Sequence, residues 1–139
     1  MKKFILCSVA LIATSIFISC ASIKEIPEGK TSAQIIQMGQ NAVSSADYQS
    51  ALLCYQTAID RYGTNPTVYA EARYEQGHVY LKQKRYDKAY QTFNELVTLY
   101  DYNPGVIPPS YKKLAQIGIS KIPAKKLAEL QNKNESDID

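Results

Sequence analysis

The chain has 139 residues, of which 45% are hydrophobic and 21% are charged, and its formal net charge is +3. This length suits one domain and leaves enough residues for a modest core, and the composition excludes disorder along the whole chain. Tyrosine is the unusual component, because all eleven tyrosines lie between Tyr48 and Tyr111 while tryptophan is absent. Rings in this setting are expected to fill the seams between helices.

The N-terminus has the form of a secretory signal. A basic start, Met1 to Lys3, precedes an apolar run of about 15 residues from Phe4 to Ile18. A membrane-spanning helix needs about 20 apolar residues, so this run is too short for a comfortable span. The sequence therefore predicts a signal peptide over residues 1–19.

The end of this run resembles the lipobox of bacterial lipoproteins, in which a small residue precedes a cysteine, as Ser19 precedes Cys20 here. Phe17 stands where that family has leucine, and Ile18 is bulkier than the usual residue. The resemblance implies that the Cys20 thiol receives a diacylglycerol, that cleavage makes Cys20 the first mature residue, and that its amine is then acylated. Ordinary secretion, with Cys20 as a spare thiol, is the alternative. In this family, Ala21 and not an aspartate after the cysteine would permit passage to the outer membrane in many two-membrane bacteria.

Residues 20–30 are predicted to be a flexible tether that starts at the lipidated cysteine. Pro27 and Gly29 disfavour a helix, and the two lysines of the segment balance its two glutamates. Fully extended, the segment would span at most about 35 Å.

Capping residues place the helix starts. Thr31 followed by Gln34 forms a capping box, so a first helix is predicted to begin there. Asp47 is the predicted N-cap of a second helix. Asn65 followed by a proline predicts a third helix, which runs to about Lys82.

The same skeleton occurs twice, with an offset of 38 residues. Seven positions correspond and six of the seven pairs are identical: Gly39/Gly77, Tyr48/Tyr86, Ala51/Ala89, Tyr55/Phe93, Tyr62/Tyr100, Asn65/Asn103 and Pro66/Pro104. A fixed period of this size is typical of helical solenoids, in which each helix pair buries its apolar face on a neighbour. Antiparallel helices are predicted to touch closely at Gly39, Ala51, Gly77 and Ala89.

The order of glycine, tyrosine, alanine and aromatic residue in this skeleton resembles the tetratricopeptide repeat. That family's repeat has about 34 residues, and the extra length here falls in the turns Arg61 to Pro66 and Asp101 to Pro104. The resemblance implies an all-α helical solenoid of two repeats and a capping helix, over residues 31–131. It also implies protein partners without identifying them.

In tetratricopeptide arrays, one stripe of the first helix of each repeat lines a concave groove that receives partners. The resemblance places this stripe on positions spaced by three or four residues in both repeats. The predicted partner-binding groove consists of Ile36, Gln40, Val43, Tyr74, His78, Leu81 and Lys82.

Basic residues concentrate in the second half of the chain. From Leu81 to Lys126 there are nine basic and three acidic residues, whereas Thr31 to Tyr80 has two basic and four acidic residues. This charge is either a solvated helix edge or a surface for an acidic protein or an anionic lipid. Nucleic acid is not expected as a partner because the chain carries an export signal. The predicted basic edge consists of Lys84, Arg85, Lys88, Lys112 and Lys113.

After the second repeat, Gly105 to Pro109 is predicted to break the helix. A capping helix follows, as in the terminal units of solenoids, and its predicted buried face is Leu114, Ile117, Gly118 and Ile119. A short basic helix is predicted over about residues 124–131. Residues 132–139 are predicted to be a disordered acidic tail.

The sequence contains no arrangement typical of an enzyme. There is no phosphate-binding glycine loop, and no serine or cysteine combines with a histidine and an acid in a recognisable order. Cys54 has no activating base nearby and is interpreted as a structural thiol. His78, the only histidine, is interpreted as an inert surface ring or a groove residue, because a metal would need more ligands. No metal is expected, and the lipid on Cys20 is the only expected cofactor.

The lipobox, the short tether and repeats with the turns Arg-Tyr-Gly-Thr-Asn-Pro and Tyr-Asp-Tyr-Asn-Pro together resemble BamD-like lipoproteins of the outer-membrane β-barrel assembly machinery. The resemblance covers about residues 31–122, with fewer repeats than the longer relatives have. It implies a periplasm-facing adaptor at the outer membrane, whose partners are the central β-barrel assembly protein and unfolded barrel precursors. A scaffold for cell-wall synthesis or division enzymes is the alternative, and an inner-membrane or surface-exposed location stays open.

Overall fold

The computed structural model describes residues 22–136, which form a stack of helices. The helices are α1 (Ser32–Ser44), α2 (Tyr48–Tyr62), α3 (Pro66–Lys82), α4 (Tyr86–Tyr102), α5 (Pro109–Ser120) and α6 (Ala124–Ser136). Consecutive helices from α1 to α5 pack against each other and are joined by short connections, so each runs antiparallel to the one before it. No strand occurs in this part of the chain, and the predicted all-α solenoid is confirmed.

Side-chain caps begin the first three helices where the sequence predicts. Gln34 N donates to Thr31 Oγ1 at 3.3 Å, and Thr31 N donates to Gln34 Oε1 at 3.0 Å. Asp47 Oδ1 accepts from Ser50 N at 3.1 Å, and Asn65 Oδ1 accepts from the N–H two residues further on at 3.0 Å. Each cap satisfies a backbone N–H that the first turn of a helix leaves unpaired.

The turns from α1 to α2 and from α3 to α4 are one structure used twice. Ala46 and Lys84, 38 residues apart, both adopt a left-handed φ, at 58° and 57°. In the first turn Asp47 N donates to Ala42 O at 2.9 Å, and Arg85 N makes the equivalent bond, also at 2.9 Å. This is the Schellman arrangement, which pairs the last carbonyls of a helix and reverses the chain.

An aromatic ring packs against a glycine in each helix pair. A Cβ added to Gly39 would lie 2.5 Å from Tyr55 Cε1, and a Cβ added to Gly77 would lie 2.5 Å from Phe93 Cε1. Gly118 of α5 approaches the other edge of the Phe93 ring, where an added Cβ would lie 2.6 Å from Cε2. Both rings are fully buried, so the close approach of these helices depends on glycine having no side chain at these three positions.

Two hydrophobic clusters form the core, and α3 contributes to both. The first cluster is made by residues before α1 together with α1, α2 and part of α3: Ile26, Ile35, Ile36, Ala42, Ala51, Cys54, Tyr55, Ala58, Ala72 and Val79. The second is made by α3 to α5 and the turns around α5: Ala70, Ala89, Tyr90, Phe93, Leu96, Ile107, Ala115 and Ile122. The shared helix joins the two repeats into one packed unit.

Residues 22–30, which the sequence predicts to be a flexible tether, instead pack along α2, and we call them the strap. Ile26 is 3% exposed and belongs to the first cluster, and Ile23 is partly buried against it. Ile23 N donates to Ser50 Oγ at 2.7 Å, at the start of α2. The two isoleucines cover apolar surface of the first helix pair, which has no preceding repeat within the described residues.

Arg61 and Tyr62, at the other end of α2, hold the second half of the strap. The Arg61 guanidinium donates to the carbonyl oxygens of Ile26 and Pro27 at 2.9 and 3.0 Å, and it pairs with Glu28 at 2.8 Å. Tyr62 Oη donates to the carbonyl of the last strap residue at 2.5 Å. These bonds join residues 32 to 35 positions apart and mostly use backbone acceptors, so composition alone does not reveal them.

The capping helix α5 packs through part of its predicted face. Gly118 is buried and Ile119 packs against the second cluster, as predicted, whereas Ile117 is 43% exposed and Ala115 is buried in its place. The contact between Gly118 and the Phe93 ring fixes which side of α5 faces the repeats, because the glycine side can come closest.

The last helix is longer than the sequence predicts. α6 continues to Ser136, so residues 132–136, assigned to a disordered tail, are helical. Lys133 and Glu135 in this stretch are good helix formers, and the stretch continues directly from the preceding turns of α6. Residues 137–139 lie outside the described part.

The Tyr55 hydroxyl is buried and has no hydrogen-bond partner among the described residues, so its loss should be tolerated. We expect Tyr55→Phe to raise the free energy of unfolding by about 1 kcal/mol, because an unsatisfied buried hydroxyl is costly. Tyr62→Phe is the matched control and should lower it by about 1 kcal/mol, since that hydroxyl binds the strap. Urea denaturation measures both, and an equal loss of stability in the two variants would contradict the structure.

Candidate functional site

The first helices of the pairs, α1 and α3, and the capping helix α5 present one shared face. Gln40 Nε2 of α1 donates to Glu75 Oε1 of α3 at 3.1 Å. The ring centroids of Tyr74 on α3 and Tyr111 on α5 are 6.3 Å apart. We call this surface the groove face, and its polar and aromatic members are Gln40, Glu71, Tyr74, Glu75, His78 and Tyr111.

Most of the predicted groove residues keep exposed surface in the structure. They are Gln40, Val43, Tyr74, His78, Leu81 and Lys82. Ile36 is the exception, at 4% exposed, so its assignment to the groove is wrong. It belongs to the first core cluster together with Ala72, and Val68 packs against the same cluster, so α3 covers this part of α1.

Glu71 and Glu75, one turn apart on α3, make the centre of the groove face acidic. Burial and then the negative charge of Glu75 raise the pKa of Glu71. The pKa of Tyr111 is also raised, first by burial and then by the two glutamates. Like charges at i and i+4 repel each other, so a basic group of a partner would relieve this repulsion. The predicted partner-binding groove did not include these two glutamates, although they lie on either side of Tyr74 along α3.

Tyr74 is the aromatic centre of the groove face. Its ring centroid lies 5.3 Å from that of His78, 5.8 Å from that of Phe93 and 6.3 Å from that of Tyr111. Burial raises the pKa of its hydroxyl, and the charge of Glu75 adds to the effect. A ring that is rooted in the core and still partly exposed offers a partner both an apolar surface and a hydroxyl.

His78 lies where the groove face becomes basic. It lines a recess of about 270 Å³ together with Leu81, Lys82, Tyr86 and Lys121. Burial lowers the pKa of His78, the charges of Lys121 and Lys82 act in the same direction, and Glu75 opposes them. These surroundings favour the neutral form of the ring. Within residues 22–136 no group of three or more histidine, cysteine, aspartate or glutamate side chains is placed to hold a metal ion.

The predicted basic edge is divided between opposite ends of the stack. Lys84, Arg85 and Lys88 lie at the turn from α3 to α4. The cationic groups of Arg85 and Lys88 stand 5.0 and 5.9 Å from the centre of the Tyr80 ring. Such contacts hold the charges over an aromatic face without neutralising them.

Lys112 and Lys113 lie near the start of α5, at the other end of the stack. Lys112 pairs with Asp101 near the end of α4, and its Nζ stands 5.1 Å from the centre of the Tyr100 ring. The 17 residues of α4 make a rod about 25 Å long between the two groups. The prediction of one continuous basic edge is therefore wrong.

Cys54 is fully buried. Burial and then the negative charge of Asp47 raise the pKa of its thiol to about 11. The thiol is therefore protonated near pH 7, which is the state of a structural cysteine. Cys20 and the predicted signal peptide lie outside the described residues. No helix in the described part is long and apolar enough to cross a membrane.

Comparisons with known proteins find the same repeat type over the two helix pairs. The model of the tetratricopeptide repeat family matches residues 36–104. An uncharacterized protein of Treponema pallidum (strain Nichols) is 28% identical over 117 residues, which cover 81% of this chain and 47% of that protein. The chain thus spans about half the length of this relative. No solved structure gives a significant match.

The raised pKa of Glu71 predicts a pH-dependent loss of stability. The folded state binds this proton more tightly than the unfolded state, whose pKa is near 4.5, so the free energy of unfolding falls as pH rises from that value through the folded pKa. Glu71→Gln should remove this contribution and be more stable than the parent at pH 7 by about 0.2–0.5 kcal/mol. The measurement is urea denaturation of both proteins between about pH 4 and pH 7.

Glu25→Gln, at an exposed position of the strap, is the control and should follow the parent at every pH. A difference between the Glu71→Gln and parent curves that does not change with pH would contradict the assigned environment of this carboxyl.

Proposed function

We propose that this chain, which contains tetratricopeptide repeats, is a lipid-anchored adaptor that faces the periplasm at the outer membrane and acts in the assembly of outer-membrane β-barrel proteins. Tetratricopeptide repeats mediate protein–protein interaction and are typically not enzymes, so the chain is a protein-interaction scaffold. The BamD-like features of the sequence support the finer assignment. On that assignment the partners are the central β-barrel assembly protein and unfolded barrel precursors.

The observation that carries the proposal is the groove face, which combines partly exposed aromatic rings with an uncompensated pair of acids. Tyr74 and Tyr111 offer apolar area, while Glu71 and Glu75 gain from a cation placed between them. This chemistry fits a peptide segment that carries an apolar side chain and a lysine or arginine within a few residues of each other. Unfolded barrel precursors supply exposed segments of mixed character.

The anchor is supported by the sequence around Cys20. A basic start, an apolar run too short to span a membrane and a serine immediately before the cysteine are features of lipoprotein precursors. Several acyl chains on one residue would hold the domain at a bilayer without a spanning helix, at about 0.8 kcal/mol per buried methylene.

Photo-crosslinking in intact cells tests the groove. A photoreactive phenylalanine at Tyr111 should recover a component of the barrel-assembly machinery, whereas the same group at Thr98, an exposed position of α4, should not. Adding Glu75→Lys should lower the crosslinking yield at Tyr111 by about tenfold, because it places a repelling charge at the centre of the face. Circular dichroism melting curves of each variant control for folding.

Equal recovery of the same partner from Tyr111 and Thr98 would overturn the groove as the binding surface. Recovery of cell-wall or division enzymes, together with normal barrel insertion and disturbed septation after depletion, would replace the barrel-assembly assignment with the alternative scaffold role.

Metabolic labelling with an alkyne analogue of palmitate tests the anchor. We expect label on the parent protein and none on Cys20→Ser, because the thiol is the acceptor of the diacylglycerol and its loss blocks the later acylation. Cys7→Ser and Cys54→Ser are matched controls that should retain the label, since one lies in the predicted signal peptide and the other is buried. Label that persists on Cys20→Ser would contradict the anchor.

A further inference from the structure

The antiparallel order of the helices gives the stack two different ends. The turns from α1 to α2, from α3 to α4 and from α5 to α6 all lie at one end, which we call the strap end. The recess that joins His78, near the end of α3, to Tyr86, at the start of α4, and to Lys121, after α5, shows that the later turns lie together. The connections from α2 to α3 and from α4 to α5 lie at the opposite end.

The strap fixes where the N-terminal residues leave the domain. Ile23 N donates a hydrogen bond to the hydroxyl of Ser50, the third residue of α2. Hydrogen bonds from Ser50 and then from Ser22 lower the pKa of Asp47 in the turn from α1 to α2. From there the strap runs to Arg61 at the far end of α2. The described part of the chain therefore begins at the strap end. Cys20 is two residues upstream of Ser22 in the sequence, and two residues of chain span at most about 7 Å.

The strap end also carries seven of the chain's 16 basic residues. Its turns and the adjoining helical turns contain two acids, Asp47 and Asp87. The basic residues in the same places are Lys82, Lys84, Arg85, Lys88, Lys121, Lys125 and Lys126. At the opposite end, the connections over residues 63–65 and 103–108 contain no charged residue, and the adjoining parts of the helices hold Arg61, Lys112 and Lys113 against Asp60 and Asp101. The asymmetry is therefore a property of one end and not of the whole surface.

These charges are exposed and are mostly not neutralised within the domain. Lys82, Lys84, Arg85, Lys88 and Lys121 are exposed, and none of them forms a salt bridge with a described residue. Asp47 is occupied as the cap of α2, where it accepts from both the N–H and the hydroxyl of Ser50. The positive charge at this end is therefore available to a negatively charged group outside the domain.

We propose that the strap end is a lipid-facing surface, whose lysines and arginine bind the headgroups of anionic phospholipids beside the point where the chain enters the membrane. The inference rests on the membrane attachment in the proposed function. Two residues of slack keep the start of the strap close to the bilayer, and the other turns of the same end can then face the headgroups, whose negative potential attracts lysine and arginine. A basic surface adds electrostatic attraction to the hold of the acyl chains.

The orientation has a consequence for the groove. With the strap end on the bilayer, the helix axes stand away from the membrane, and the groove face along α1, α3 and α5 opens sideways, parallel to the membrane surface. A partner held in the same membrane could then reach it without displacing the domain.

Lysine footprinting of the full chain reconstituted in vesicles tests the orientation. The lysines are acetylated with a water-soluble ester and read by mass spectrometry in vesicles of phosphatidylcholine alone and in vesicles with a third of the lipid replaced by phosphatidylglycerol. We expect acetylation of Lys84, Lys88 and Lys121 to be at least about fivefold slower in the anionic vesicles. Lys112 and Lys113, at the opposite end, should react equally in both and serve as controls within the same molecule. High salt should abolish the difference.

Charge reversal gives the second arm. Lys84→Glu with Arg85→Glu should abolish the lipid-dependent protection of Lys121, whereas Lys112→Glu with Lys113→Glu should leave it unchanged. Equal ratios at the two ends, or failure of the chain to float with either vesicle, would overturn the inference.

The two proposals can fail separately. Palmitate label on Cys20 without end-specific protection would leave the anchored adaptor standing and remove the orientation. Protection without the label would keep the orientation and remove the acyl anchor, since an uncleaved leader would then hold the chain at the bilayer.

Discussion

The packing of an aromatic ring on a glycine is the constraint on which the rest of the structure depends. Tyr55 on Gly39 and Phe93 on Gly77 set the spacing within each helix pair, and Phe93 also receives Gly118 of the capping helix. Because a ring occupies the space of the missing side chain, the helices can neither separate nor rotate without opening a cavity. The groove face, the two core clusters and the register of α5 all follow from this contact.

The strap fixes the point at which the described chain leaves the two repeats. A flexible tether would let the repeats rotate freely above a membrane, whereas Arg61 and Ser50 bind the chain at both ends of α2. The exit point, the basic turns and the groove face consequently hold fixed positions relative to one another. In the proposed function, membrane contact and partner binding would use different surfaces of this unit, so neither would exclude the other.

The sequence predicts the helices well because their signals are local. Caps such as Thr31 and the 38-residue correspondence depend on neighbours or on identical spacing, and both survive in the structure. The strap was missed because its contacts are with α2, far along the chain. The groove was predicted only in part: the burial of Ile36 depends on where α3 crosses α1, and the division of the basic edge depends on which turns share an end. Both depend on tertiary packing, which residue spacing in the sequence does not specify.

The segment before α1 is a packed part of the repeat domain, and this packing fixes where the described chain begins. Amide hydrogen exchange of Ile23 measures this packing most directly, because its N–H donates to the buried Ser50 hydroxyl. We expect protection of Ile23 comparable to that of amides in the middle of α2. Exchange of Ile23 at the rate of an unstructured peptide, with α2 still protected, would contradict this packing.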